Sequence, residues 1–135
     1  MRNGTEFPDL LSEIYHSLSA SRRCYVILFL YEVEDETVSV STLASEIAAI
    51  ERGVEPDQAT GAPYRNVYNA LSQTHLPTLA DTGIIIYNSN RQTVAPGPLF
   101  DVTALVIDSN KSIYNHLGED SYLRSVGNEE GSTTD

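Results

Sequence analysis

PYRNVYNALSQTHLPTLADTGIIIYNSNRQTVAP, residues 63–96, divides into a helix, a turn and a short β-hairpin. Tyr64, Val67, Tyr68, Leu71 and His75 recur at helical spacing and form one largely apolar face. Arg65, Asn66, Asn69, Ser72 and Gln73 fall on the opposite, polar face. Pro77 limits this helix, and Leu76 and Leu79 extend the apolar face if the chain kinks there. Asp81-Thr82-Gly83 stops the helical run. Ile84 to Tyr87 favour a strand. Asn88 to Arg91 is turn chemistry, with Gln92 to Ala95 as the returning strand.

Charge marks the same stretch. The chain has 19 acids against 8 bases, a net charge of −11. Residues 1–57 carry −7 and residues 101–135 carry −5, whereas residues 58–100 carry +1 from Arg65, Arg91 and the single acid Asp81. A polyanion partner requires a surface without acids, because each like charge repels phosphate. Chance, or burial of the segment, is the competing explanation.

Upstream, Asp9 is placed to cap a helix starting at Leu10, with Leu10, Leu11, Ile14, Tyr15 and Leu18 as its apolar stripe. Ser21 is placed to cap a second helix over Arg22 to Val33. The continuous apolar run Tyr25 to Tyr31 does not report a period, but its length and cap favour a buried helix over a strand. Thr37 to Val40 reads as a short strand pairing with the hairpin. Ser41 is the expected cap of a third helix, whose Leu43, Ala44, Ile47, Ala48 and Ile50 face the core and which Gly53 ends. Val54 to Ala62 is a loop longer than a standard helix-turn-helix turn. Downstream, Pro96-Gly97-Pro98 reads as a boundary. A C-terminal helix carrying Val102, Leu105, Val106, Ile113 and Leu117 follows, with a strand over 102–107 as the alternative.

The order of parts predicts a mainly α fold with a small β-hairpin wing, a winged helix-turn-helix, with a helical C-terminal extension. The expected divisions are a winged-helix domain over 9–97, a dimerisation segment over 98–117 and a disordered acidic tail over 118–135. On that layout Arg65, Asn66, Asn69, Ser72 and Gln73 form a DNA-reading face, since Arg suits guanine and Asn or Gln suits adenine. Arg91 at the hairpin tip suits a minor groove or a phosphate. Arg22 and Arg23 either touch phosphate or pair with local acids. An ordinary solvated face is the plain reading of all these residues.

The lone cysteine, Cys24, excludes an internal disulfide framework and fits a reducing interior. The longest apolar run has seven residues, too short for a membrane span, and no basic-then-apolar leader appears, so a cytoplasmic location without membrane attachment is expected. One lysine against seven arginines in an acidic chain suggests a salt-rich cytosol; an ordinary acidic protein is the rival reading. His16, His116 and Cys24 lack metal-ligand spacing, so no metal is expected. His75 reads as a core histidine bonded to backbone. No nucleophile elbow or phosphate-cradling glycine loop is present, so neither an enzyme nor a cofactor is expected.

Ser21-Arg22-Arg23-Cys24-Tyr25-Val26, Val40 to Ala44, Glu46 to Ala48, and above all Tyr68 with Leu71-Ser72-Gln73-Thr74-His75-Leu76-Pro77-Thr78-Leu79 and Gly83-Ile84 resemble a winged-helix domain family of haloarchaea. The resemblance covers roughly residues 9–96. It implies a winged-helix fold and a role as a transcription regulator. Double-stranded DNA, read from the polar helix face, and a second copy of the chain, paired through the segment after Pro98, are the expected partners. Target, effector and direction of regulation stay open. A winged-helix module that binds protein instead of DNA is the alternative.

Overall fold

The computed structural model of the protein describes residues 6–33 and 36–120, with side chains as far as Lys111. The chain forms two compact units, one ending at Ala104 and one beginning at Leu105. The first contains α1 (Phe7–Ser17), α2 (Ser21–Val33), β1 (Val38–Ser39), α3 (Val40–Arg52), a 3-10 turn (Pro56–Gln58), α4 (Ala62–Ala70), a π turn (Leu71–His75), α5 (Leu76–Asp81), β2 (Ile85–Asn88) and β3 (Thr93–Pro96). A further helix, α6 (Phe100–Asp120), starts in this unit and provides the described part of the second. The three strands form one antiparallel sheet in the order β1-β3-β2, so the fold is mainly helical and winged-helix-like, with a hairpin wing.

α2 is the buried helix that its apolar run favours. Val26, Ile27 and Leu30 are shielded from solvent, and they join Ile14, Leu43, Ile47, Leu71, Leu76 and Leu79 in one core. A helix with apolar residues nearly all round is stable only when neighbours cover most of its surface. β1 pairs with β3 through Val38 opposite Val94 and Ser39 opposite Thr93, as the strand read at 37–40 requires. β2 pairs with β3 from Ile85 opposite Pro96 to Asn88 opposite Thr93.

Several local expectations are corrected. Asp9 does not cap α1. The helix starts at Phe7 after Glu6, with Pro8 in its first turn, where a missing N–H costs nothing. Ser39, not Ser41, caps α3, accepting a 3.1 Å hydrogen bond from the Thr42 N–H. Of the two readings at Pro77, the continued apolar face holds: the helical run begun at Ala62 does not end there. The π turn absorbs the proline, with the Leu76 N–H bonded to the Leu71 carbonyl and Pro77 in the first turn of α5. In an α-helix a spacing of five residues turns a side chain about 140° off its starting face. The π turn brings Leu71 and Leu76 back into register, and both are completely buried.

Pro96-Gly97-Pro98, read as a boundary, is a packed corner inside the first unit. A Cβ on Gly97 would come within 2.7 Å of the Gly83 carbonyl oxygen and 3.0 Å of two β2-side backbone carbons. The Gly97 N–H donates to the Ile84 carbonyl and the Leu99 N–H to that of Gly83. The first turns of α6 belong to the core, with Phe100, Thr103 and Ala104 buried. Residues 102–107 are helical, which settles the choice between helix and strand. The side chains of Ile113 and Leu117 and the acidic stretch 121–135 lie outside the described residues.

Candidate nucleic-acid interface

The helical run that carries the expected DNA-reading face, called the recognition helix for that expectation alone, extends from Ala62 through the π turn to Asp81. Gly61, at φ +72°, lets the chain turn into it, and Pro63 sits in its first turn. Its inner side buries Val67, Leu71, Leu76 and Leu79, while Tyr64 and Tyr68 are half-buried with ring centroids 5.9 Å apart. Arg65, Asn66, Asn69 and Gln73 are exposed on the other side, and Ser72 is half-buried. The structure therefore brings the sequence-predicted face together on one helix. Arg91 is exposed in the wing turn, where its backbone N–H donates to Asn88 Oδ1.

Two of the predicted residues have prior engagements. Asn66 Oδ1 accepts a 3.3 Å bond from Arg22 Nη2, so its amide presents mainly N–H donors outward. Ser72 Oγ donates to Gln92 Oε1 at 2.9 Å, which ties the recognition helix to the wing.

Arg22 and Arg23 are adjacent in sequence and point to different surroundings. Arg22 forks onto Glu51 at the end of α3, Nε to Oε2 at 2.7 Å and Nη2 to Oε1 at 2.8 Å. That bond holds the Glu51 carboxyl below its ordinary range and pushes the guanidinium above its own. Its charge is thus matched locally, the acid-pairing option of the two read from sequence. Arg23 is 9% exposed, and its side-chain hydrogen bonds among the described residues go to no acid. It donates to the Ser17 carbonyl at 2.6 Å and to Ser19 Oγ at 3.4 Å, and its Nη1 lies 3.1 Å from His75 Nδ1. Burial removes Arg23 from the phosphate-contact candidates.

A guanidinium only donates, so His75 Nδ1 accepts and the ring proton sits on Nε2. His75 is thus bonded to a side chain, where backbone was expected. Burial, then Arg23 and Arg22, push its pKa below the ordinary histidine value, with Glu51 opposing. Cys24 donates to the Leu18 carbonyl at 3.2 Å, and burial raises its thiol pKa.

The matched residues fix which part of this geometry is shared. A family described as a domain of unknown function (DUF7344) matches residues 15–95. The chain belongs to that family. The match runs from within α1 to within β3, so the family domain contains the recognition face and the wing and leaves out α6. The comparisons with curated proteins and with solved structures returned no match.

Within the family domain, sequence reasoning missed two features of the interface. One is a cleft of about 360 Å³ between the starts of α3 and α4, lined by the hydroxyls of Ser41, Thr42, Ser45, Thr60 and Tyr64 beside Glu46. Scattered hydroxyls give no sequence period. The other is Gln92, read only as a strand residue. Among the described residues, no three His, Cys, Asp or Glu side chains are grouped to hold a metal ion, and no helix is long and apolar enough to cross a membrane.

Proposed function

We propose that this protein is a sequence-specific DNA-binding transcription regulator of a salt-rich archaeal cytosol, acting as a dimer. One observation carries the reading: Arg65, Asn66, Asn69 and Gln73 stand exposed along one helix face next to a hairpin wing tipped by Arg91, in a segment that holds a single acid. These side chains have the donors and acceptors that base edges match, and a helix of this kind fits a major groove. The hydroxyls of the cleft add hydrogen-bond partners for phosphate, with Glu46 beside them as an opposing charge. The exposed Val102 (40%) and Leu105 (61%) support pairing through α6, with two recognition helices on half-sites about 34–36 Å apart or a multiple of it.

The haloarchaeal resemblance and the acidic, lysine-poor composition support the proposed setting. In molar salt, screening within about 3 Å suppresses repulsion between the acidic body and DNA. The test is selection of bound fragments from host DNA in high potassium, followed by titration of the selected site at several KCl concentrations. An enriched sequence whose affinity holds or improves toward molar salt is expected. No enrichment, with the protein folded, rejects DNA reading.

A second reading, a winged-helix module that binds protein, is favoured by one specific observation. Arg22 is matched by Glu51 and Arg23 is internal, which leaves the face Arg65 and Arg91 as its cations. Absence of enriched DNA would move the assignment there.

A further inference from the structure

Gln92 is the one non-glycine residue with positive φ among the described residues, at +53°. A side chain in this left-handed region is disfavoured, and it persists only where surrounding contacts over-determine it. Those contacts reach α3, the π turn and the wing itself. The Gln92 carbonyl accepts from the Val40 N–H at 2.9 Å, occupying the first free donor of α3. Its Oε1 accepts from Ser72 in the π turn at 2.9 Å, and its Nε2 donates to Tyr87 Oη at 2.8 Å and to the Ser89 carbonyl at 3.0 Å. A carbonyl can only accept, so the bond to Ser89 fixes which end of the amide is nitrogen. Both amide hydrogens are then used, and Oε1 has its partner.

From this arrangement we infer that Gln92 is the positioning residue that sets the wing, and with it Arg91, at a fixed pose against the recognition helix. What the wing touches rests on the DNA reading; the positioning itself does not. A short hairpin attached to the body only through its strands can rock about its base. The Ser72–Gln92 bond removes that freedom at the tip end, because it joins a residue next to the turn directly to the helix. The left-handed conformation at Gln92 follows from the same need: it aims the side chain back at the helix while the chain leaves the turn into β3.

Gln92→Gly is the suitable variant. It deletes the side-chain bonds, relieves the backbone conformation and keeps the carbonyl that bonds Val40, so the fold is retained. Spin labels at Asn69→Cys and Arg91→Cys, with the single cysteine replaced as Cys24→Ser, report the distance from helix to wing tip without DNA. One narrow distribution is expected in the parent, and a broad or shifted one in Gln92→Gly and in Ser72→Ala. An unchanged distribution overturns the inference. On the selected DNA site, the affinity penalty of Arg91→Ala should shrink by about threefold or more in the Gln92→Gly background, a non-additivity that general destabilisation does not give. Equal penalties in the two backgrounds overturn it as well. A parent that binds no DNA, yet whose helix-to-wing distance depends on Gln92, removes the DNA reading and leaves the positioning role supported.

Discussion

The start of α2 and the recognition helix with its wing hold two arginines each, and the fold uses them in opposite ways. Arg22 and Arg23 are consumed by the protein itself, one forked onto Glu51 and one sunk against Ser17 and His75. Arg65 and Arg91 stand exposed. The difference teaches that a count of bases is not a count of contacts. Neighbours on a helix diverge by about 100°, so a pair of adjacent arginines must serve two environments. Glu51, whose partner Arg22 also bonds Asn66 of the exposed helix face, is occupied by that arginine and not left to face solvent alone.

The largest expected effect tests the internal half of the comparison. Arg23→Met keeps most of the stem but strips the Ser17 carbonyl of its donor, and should cost about 2–3 kcal/mol in a denaturant melt. A cost under about 0.5 kcal/mol would place Arg23 among ordinary surface residues and erase the contrast.

Next comes the external half. Arg65→Ala with Asn69→Ala should lose about 1–3 kcal/mol at particular base positions of a selected site, while Arg91→Ala weakens all sequences alike. Binding that is identical for the double variant and the parent would remove the reading face.

The third effect sharpens the contrast through pH. The His75 pKa is depressed in the folded protein, so the unfolded chain binds the extra proton first. Its contribution to stability is present above about 6.5, the ordinary value, and is lost as pH falls from there toward the depressed folded value. Denaturant midpoints at pH 7.5 and 5.0 should therefore fall further in the parent than in His75→Asn, which keeps an acceptor for Arg23 without titrating. Equal falls would count against the Arg23–His75 bond.

The smallest effect belongs to Arg22. Its pair with Glu51 is partly open to solvent, with the side chains 24% and 33% exposed, so Arg22→Ala should change stability by about 1 kcal/mol or less. It exposes the Glu51 carboxylate and frees Asn66, so DNA affinity should fall by more than stability does. An unchanged affinity would show that Glu51 lies beyond the reach of the bound partner.

The helix–helix–strand–helix–helix–hairpin order was legible in the sequence because most parts have a period or a stop of their own. Val67 and Leu71 mark the helix, Gly53 and Gly83 mark ends, and Ile84 to Tyr87 mark a strand. The polar face from Arg65 to Gln73 was legible for the same reason. What was not legible depends on partners far away in sequence. Whether Ser39 or Ser41 takes the cap is decided by where β1 joins β3. That Arg23 turns inward depends on His75, fifty-two positions on. The corner at Gly97 looked like a boundary because glycine and proline mark both loops and close approaches, and only the backbone of Gly83 and Ile84 tells them apart. Gln92 carried no local sign of its left-handed backbone, which occurs with four hydrogen bonds to residues of α3, the π turn and the wing.

The π turn gives the recognition helix a vernier. Leu71 and Leu76 remain anchored on the inside although the stretch between them is one residue longer than an α-helix needs to bring them into line. The surplus appears only on the outside, where Ser72, Gln73 and Thr74 are carried round relative to Arg65 and Asn69. Sliding the wide turn by one position would re-aim those outer side chains and leave the anchors where they are. A lineage could therefore change what the middle of this helix presents by shifting phase, without replacing a residue of the core.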